Sequence, residues 1–126
     1  MANDKLVLSK LGHTWLIDID GTIVKHNGYK IDGHDSLLPG AKDFFDQIPN
    51  GDTIILLTSR TEEYKKATED FLVNNRITFD RIIYGLPYGE RIIINDNKPS
   101  GLCVSKCVSL NRDDGLKIEI EIDNNL

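Results

Sequence analysis

Four short apolar runs divide the first three quarters of the chain, and each has the length of a β-strand. They are residues 13–19, 52–59, 80–85 and 90–96, and Gly, Asn or Asp lies at or near their ends. Nearly continuous apolar runs are typical of strands that are buried on both faces of a parallel sheet. The pattern therefore predicts four strands of one parallel sheet.

The segments between these runs have the pattern of helices. Residues 39–48 place Pro39 at the first turn, and residues 61–75 open with Thr61 as a candidate N-cap and carry apolar residues on one stripe. Strands that alternate with helices predict an α/β fold with right-handed crossovers. We expect a three-layer, Rossmann-like parallel sheet with helices on both faces.

The last part of the chain is less regular. Residues 101–110 alternate like a strand, residues 111–115 have the composition of a turn, and residues 116–123 alternate polar with apolar positions. The final alternation predicts an exposed edge strand, or a strand that pairs with another subunit. Cys103 and Cys107 have no His or further Cys to complete a metal site, so we expect buried or half-buried reduced thiols.

Polar residues lie at the ends of three predicted strands. Asp18 lies at the end of the first strand, Thr58 and Ser59 end the second, and Asn95 and Asp96 end the fourth. Ligands of open α/β sheets bind beyond the carboxyl ends of the strands, so these side chains are expected at one edge. A single acidic turn residue is usually just solvated. The coincidence of three strand ends is what favours a functional site.

The set of polar groups that includes Asp18 and Asp20 fits phosphoryl transfer through an aspartyl phosphate. A carboxylate can attack phosphorus and split one hydrolysis into two displacements. Its repulsion from a phosphate dianion is on the order of 4 kcal/mol for one pair of unit charges about 4 Å apart at an effective dielectric constant near 20. A divalent cation removes that repulsion, and Mg²⁺ prefers oxygen ligands. The predicted ligands are Asp18, Asp96 and the Asp20 main chain.

The residues that follow the nucleophile have complementary roles. Asp20 can protonate the leaving oxygen and then deprotonate the attacking water. Gly21 allows a sharp turn beside the substrate, and Thr22 can hold that turn by hydrogen bonding. We expect Gly21 and Thr22 to contact the substrate.

The second and fourth strand ends can bind the transferring phosphoryl group. The Thr58 hydroxyl can donate to a phosphoryl oxygen, and Ser59 lies beside it as a further substrate contact. Arg60 or Lys98 can supply positive charge where negative charge develops in the transition state. Thr58 and Lys98 therefore join Asp18 and Asp20 as predicted catalytic residues.

The motifs that contain these residues resemble those of haloacid dehalogenase (HAD) superfamily phosphatases. "LIDIDGT" matches the first family motif, an apolar strand followed by DxDGT, in which the first Asp is the nucleophile and the second the acid/base. "IILLTSR" matches the second motif at Thr58, and "IIINDN" matches the last motif in part. The resemblance spans residues 14–101 and implies an HAD-like fold, a Mg²⁺ cofactor and hydrolysis of a phosphomonoester.

Two positions depart from the family pattern. The family usually carries a Lys ahead of its last motif, where this chain has Leu86. Lys98, two residues after Asp96, could bring an ammonium group to the same place. Asn95 stands at the first acidic position of the last motif, whereas Asp96, the direct metal ligand in similar proteins, is retained.

The spacing of the motifs leaves no room for a cap domain. Roughly 38 residues separate Asp20 from Thr58, and a similar number separate Thr58 from Asp96, and the predicted elements use them. We expect one capless domain over residues 1–126, with an open site that a homo-oligomer could cover. The segment after the first motif carries basic and aromatic residues that either meet a sugar phosphate or form a solvated hairpin: Lys25, His26, Tyr29, Lys30 and His34.

The substrate class comes from the resemblance alone. Small capless relatives with a tail like "GERIIINDNKPSG" look like proteins associated with surface-polysaccharide biosynthesis. The implied substrate is a phosphorylated sugar or a similar small metabolite.

Composition and charge exclude other classes. The formal net charge of −5 and the pI near 5.1 argue against a general nucleic-acid binder, which is usually basic. No apolar run approaches the roughly 20 residues of a membrane span, and the first residues lack an apolar signal core. We therefore expect a cytoplasmic protein with no membrane partner.

Two other functions stay open. Leu86 and Asn95 are also what a degenerate family member would carry, one that binds a phosphorylated ligand or a partner without hydrolysing it. A phosphoacceptor signalling domain of the response-regulator type uses strand-end carboxylates, Mg²⁺, a Thr or Ser and a Lys as well. It has no acid/base two residues after the acceptor, so "DIDGT" favours turnover.

Overall fold

The computed structural model describes residues 4–126, and all of its strand pairings are parallel. The strands are β1 (Asp4–Leu8), β2 (Thr14–Asp18), β3 (Thr53–Leu57), β4 (Arg81–Ile83) and β5 (Ile118–Ile122). The helices are α1 (Gly28–Ile31), α2 (Ala41–Gln47) and α3 (Lys65–Asn74), and a 3-10 turn, Glu62–Tyr64, precedes α3. The predicted α/β class is confirmed.

The strands form two sheets. One has the order β2-β3-β4, and the other pairs β1 with β5. In the first sheet Asp18 is paired with Leu57, and the Ile19 amide continues the ladder to the Leu57 carbonyl at 3.1 Å. The carboxyl ends of β2 and β3 therefore lie level, which places the residues that follow them at the same edge.

The hydrophobic core connects both sheets to α2 and α3. Its members include Ile17 of β2, Leu56 of β3, Phe44 of α2, Leu72 of α3 and Ile118 of β5, each less than a tenth exposed. Because side chains of a strand alternate between faces, burial of Ile17 directs its neighbours to the opposite face of β2.

That opposite face is open at β2. Leu16 is 45% exposed there, so the strand is not buried on both faces as its apolar sequence suggests. Helices on both faces of the sheet stay a prediction. Among residues 4–126, no helix has the length and apolar character needed to cross a bilayer.

The helix predictions are confirmed with small shifts in their bounds. The segment predicted over residues 39–48 is α2, and the one predicted over residues 61–75 is the 3-10 turn followed by α3. Thr61 precedes the 3-10 turn, but its hydroxyl donates to the Glu63 carboxylate at 3.0 Å and makes no capping bond. The final alternation of residues 116–123 is the strand β5.

The prediction of a fourth strand at residues 90–96 is wrong. The structure has no helix or strand between residues 86 and 112. Ile92, Ile93 and Ile94 are each more than half exposed. An extended segment becomes a strand only when a neighbour pairs with its backbone, and these residues have no paired neighbour within the described chain.

The region of the two cysteines also differs from the prediction. Residues 101–110 form no strand, and Cys103 and Cys107 are free and exposed. The expectation of buried or half-buried thiols is wrong, since both cysteines are exposed in a segment that forms no strand of either sheet.

A partly buried polar group, here called the amino-end cluster, connects the starts of β2 and β3. It consists of Ser9, His13, Trp15 and Asp52. The Asp52 carboxylate accepts hydrogen bonds from Trp15 Nε1 at 2.9 Å and from the His13 main chain at 3.1 Å, and it lies 2.8 Å from His13 Nδ1. His13 Nε2 lies 2.9 Å from the Ser9 carbonyl oxygen.

The hydrogen bonds of this cluster set the protonation state of Asp52. Burial alone raises the pKa of the Asp52 carboxyl, but hydrogen bonds from Trp15 and His13 outweigh burial and lower that pKa below its ordinary value. The carboxylate is therefore more stable ionised in the folded state than in the unfolded chain.

Candidate active site

The polar residues that follow β2 and β3 come together in a group that we call the carboxyl-end site. Five charged or hydroxylic side chains form it: Asp18, Asp20, Thr58, Arg60 and Arg91. Four of them follow the predicted strand ends closely in sequence. The fifth, Arg91, comes from the irregular segment after β4.

The backbone after Asp18 forms the sharp turn that its sequence predicts. Gly21 has φ 86°, a value that residues other than glycine rarely adopt. Its amide donates to the Val24 carbonyl at 2.7 Å. The amides of Ile23 and Val24 both donate to the Ile19 carbonyl. These backbone hydrogen bonds fix the conformation of the turn, and therefore the position of the Asp20 backbone relative to Asp18.

Asp18 is the accessible carboxylate of the site. Its side chain is 35% exposed. One oxygen accepts a hydrogen bond from the Thr22 hydroxyl at 3.0 Å, and the other accepts from Arg91 Nη1 at 2.8 Å. Thr22 thus holds the turn by bonding to Asp18 itself. A carboxylate that is oriented by two donors and still open to solvent can reach a ligand.

Asp20 is held much more firmly. Its side chain is 16% exposed, and it accepts from the Thr58 hydroxyl at 3.0 Å and from Arg60 Nε and Nη2 at 3.0 and 2.7 Å. Thr58 is fully buried, and its oxygen also accepts from the Arg60 amide at 3.0 Å. The structure therefore directs the Thr58 hydroxyl at Asp20.

Arg60 is buried, with a side chain 2% exposed. Besides Asp20, its guanidinium donates to both carboxylate oxygens of Asp35 at 2.7 and 3.0 Å and to the Thr68 hydroxyl at 3.0 Å. Tyr29 stacks on it, with 3.9 Å from the guanidinium carbon to the ring centroid. These contacts use all five N–H donors, which leaves none for the phosphoryl contact predicted for Arg60.

The electrostatic effect on Arg60 follows from its two carboxylate partners. Burial alone lowers the pKa of the Arg60 guanidinium, but hydrogen bonds to Asp35 and Asp20 outweigh burial and raise that pKa above its ordinary value. Arg60 is therefore a permanent positive charge shared by two carboxylates.

Three predicted site residues do not join this group. Asp96 and Lys98 are exposed, and within residues 4–126 neither side chain makes a hydrogen bond or ion pair. The Ser59 hydroxyl likewise has no hydrogen-bond partner among the described residues. The cation paired with Asp18 is Arg91, which the sequence analysis did not name.

The donors around Asp18 bear on the predicted Mg²⁺ site. Within the described chain, no three His, Cys, Asp or Glu side chains are grouped closely enough to hold a metal ion. The donors at the turn are nevertheless oxygen atoms, from the Asp18 carboxylate and the Asp20 main chain. Mg²⁺ is commonly held by one or two carboxylates, water and substrate phosphate, so this donor chemistry fits the ion.

The loop of residues 111–115 packs against the turn and was predicted only as a turn. The Asp113 amide donates to the Gly21 carbonyl at 2.9 Å, and its carboxylate accepts from the His26 amide at 2.8 Å. The neighbouring Arg112 places its Cγ 3.1 Å from where a Cβ on Gly21 would lie. Arg112 is exposed, so its positive charge borders the turn that carries Asp18 and Asp20.

A pocket of about 460 Å³ lies elsewhere, at the amino ends of β3 and β4. Asp52, Arg76 and Asp80 are among its lining residues. Ligands of open α/β sheets bind beyond the carboxyl ends of the strands, and the accessible carboxylate Asp18 also lies there. We therefore assign the candidate site to the carboxyl end.

Comparison with protein-family models, with curated proteins and with solved structures found no match to this chain. Membership of the HAD superfamily stays a hypothesis supported by the motifs around Asp18 and Thr58.

Proposed function

We propose that the chain is a Mg²⁺-dependent phosphomonoester hydrolase of the HAD superfamily that acts through an aspartyl phosphate on Asp18. The observation that supports this most is the contrast between two neighbouring carboxylates. Asp18 is accessible at the end of β2, while Asp20 is immobilised by Thr58 and Arg60. An open carboxylate beside a fixed one suits a division into nucleophile and acid/base.

In the first step an Asp18 oxygen attacks the substrate phosphorus, and the bond from phosphorus to the leaving oxygen breaks. Protonated Asp20 gives its proton to that leaving oxygen. In the second step Asp20 accepts a proton from water, the water oxygen bonds to phosphorus, and the bond to Asp18 breaks. Inorganic phosphate leaves, Asp18 is again a carboxylate and Asp20 is again protonated.

Positive charge at Asp18 lowers the repulsion between this carboxylate and a phosphate dianion. Arg91 already contacts Asp18, so it can supply the charge that the family obtains from the Lys missing at Leu86. Mg²⁺ bound by Asp18 and the Asp20 main chain would add to this charge, whereas Asp96, the third predicted ligand, is exposed.

We further propose that the fold is the three-layer, capless form of the superfamily, with an open site for a phosphorylated sugar or a similar small metabolite. The short, partly exposed segment between β2 and α2 supports this, since it contains only the four-residue helix α1. A homo-oligomer could cover such an open site.

Phosphate release from a panel of sugar phosphates and nucleotides, with Mg²⁺ and with EDTA, tests the proposal. Asp18→Asn should lower kcat by more than about 10³-fold while the melting temperature stays unchanged, because the nucleophile is lost without a change of shape. Asp70→Asn, an exposed position on α3 paired with Lys66, is the matched control and should keep full activity. Wild-type turnover by folded Asp18→Asn would reject the mechanism.

A binder that does not hydrolyse its ligand is the second candidate. Two observations favour it: Arg91 is paired with the proposed nucleophile, and Asp96 is exposed. Binding of a sugar phosphate by the wild type without phosphate release, retained in Asp18→Asn, would support the binder and reject the hydrolase.

A further inference from the structure

Asp35 is a buried carboxylate that no motif of the sequence singles out. It lies between α1 and α2, and its side chain is 6% exposed. Its two oxygens accept from Arg60 Nη2 at 2.7 Å and Nη1 at 3.0 Å. Burial of a charged group is unfavourable unless it is paired, so a bidentate partner explains how Asp35 remains there.

Arg60 connects Asp35 directly to Asp20. The guanidinium binds Asp20 along its Nε and Nη2 edge and Asp35 across Nη1 and Nη2. Thr68 accepts from Nη1, and the Tyr29 ring covers one face. A planar group held on two edges and one face has one orientation, and that orientation fixes the Asp20 carboxylate.

We propose that Asp35 is a positioning residue for the acid/base step, which acts on Asp20 through Arg60. This inference rests on the proposed hydrolase function. Asp35 keeps the guanidinium in place, and the guanidinium orients the Asp20 carboxyl group toward the leaving oxygen.

Proton donation matters most when the leaving group is a poor one. An alkyl phosphate such as a sugar phosphate needs its leaving oxygen protonated, whereas 2,4-dinitrophenyl phosphate releases a stable anion without that proton. The ratio kcat/KM reports the steps up to departure of the leaving group. A defect at Asp20 should therefore lower kcat/KM for the sugar phosphate and spare the dinitrophenyl ester.

Asp35→Asn keeps the shape of the side chain and removes its charge. We expect kcat/KM for a sugar phosphate to fall by roughly 10- to 100-fold, part of the effect of a general acid, and by less than about 3-fold for 2,4-dinitrophenyl phosphate. Asp35→Glu, which restores the charge, should recover part of the lost activity. Asp32→Asn is the matched control, since Asp32 lies in the same segment and pairs only with Lys25 at the surface.

Equal losses with both substrates, or no loss, would overturn the role of Asp35 while leaving the hydrolase proposal intact. No wild-type activity with either substrate would instead reject the hydrolase proposal. If Asp35→Asn does not fold, Thr68→Val removes the hydroxyl contact to Arg60 and keeps both carboxylates. It should show the same preference for the dinitrophenyl ester, and an equal loss with both substrates would overturn the inference.

Discussion

The two ends of β2 and β3 carry similar residue types, but their carboxylates have different surroundings. At the amino end, Asp52 is 3% exposed, and Trp15 and His13 surround it. At the carboxyl end, Asp20 is similarly held by protein donors, whereas Asp18 keeps a third of its surface open. One end is a closed network, and the other combines a closed carboxylate with an open one.

Because of this difference, we expect the amino end to stabilise the fold and the carboxyl end to carry the chemistry. The Asp52 carboxylate stabilises the fold through its hydrogen bonds, but with a side chain only 3% exposed it is not open to a ligand, whereas Asp20 keeps 16% of its side chain open beside Asp18. The pocket beside Asp52 does not change that conclusion, because a cavity provides space for a ligand but does not by itself provide a reactive group. The accessible carboxylate makes the carboxyl end the candidate site, and substitutions at the two ends should therefore change different properties.

Among substitutions of cationic residues, Arg91→Gln should lower activity the most while leaving stability almost unchanged. It removes the positive charge on Asp18, so kcat should fall by roughly 10- to 100-fold, which is the range for loss of one electrostatic donor. The melting temperature should stay within about 1 °C, because the Arg91–Asp18 pair is partly exposed. Arg81→Gln, an exposed cation on β4, is the control for steady-state kinetics, and an equal loss in both variants would contradict a specific role.

Asp52→Asn should have the opposite profile. It leaves buried donors of Trp15 and His13 poorly matched, which should lower the free energy of unfolding by about 1–3 kcal/mol. The value of kcat/KM should stay unchanged at a temperature where the variant is folded. Urea unfolding and phosphate release measure the two properties, and a loss of activity without a loss of stability would remove the distinction between the ends.

The pH dependence of this effect follows from the lowered pKa of Asp52. Its contribution to stability is fully present above the ordinary carboxyl value near 3.9 and is lost as pH falls through the lower folded value. The difference in unfolding free energy between wild type and Asp52→Asn should therefore be largest near neutral pH and shrink below about pH 4.

Arg112→Gln should have the smallest effect. Its exposed side chain borders the turn at Gly21, so it can attract an anionic substrate without touching the reacting atoms. We expect KM to rise about 3- to 10-fold with little change in kcat, as for a solvent-exposed ion pair worth about 1 kcal/mol. Lys106→Gln controls for net charge. A fall in kcat with unchanged KM would contradict a role of Arg112 in substrate attraction and would indicate a role in the chemical step.

Local pattern predicted much of the fold that surrounds the site. Alternating apolar runs and helical segments located β2, β3, α2 and α3, because these signals depend on residues close in sequence. The turn at Gly21 and the hydrogen bond from Thr22 follow from "DGT" for the same reason. A site feature that is formed by one strand end and the turn after it can therefore be predicted from the local sequence.

Contacts between distant segments could not be predicted in this way. Asp35, Tyr29 and Thr68 meet around Arg60 only because the chain folds back on itself, and no spacing signals such a meeting. Arg91 illustrates the same limit, since the motif pattern predicted the missing cation at Lys98, whereas Arg91 pairs with Asp18. The isoleucines of residues 92–94 have strand propensity, but a strand also needs a partner, which composition does not specify.

The most direct test of the central claim is detection of the aspartyl phosphate. Wild-type protein would be mixed with Mg²⁺ and its best substrate from the panel, quenched in acid, digested and measured by mass spectrometry. The account predicts that the peptide containing Asp18 gains the mass of one phosphoryl group, and that Asp18→Asn gains none. Phosphate release by a wild type whose Asp18 never carries phosphoryl, or phosphoryl on another residue, would contradict Asp18 as the nucleophile.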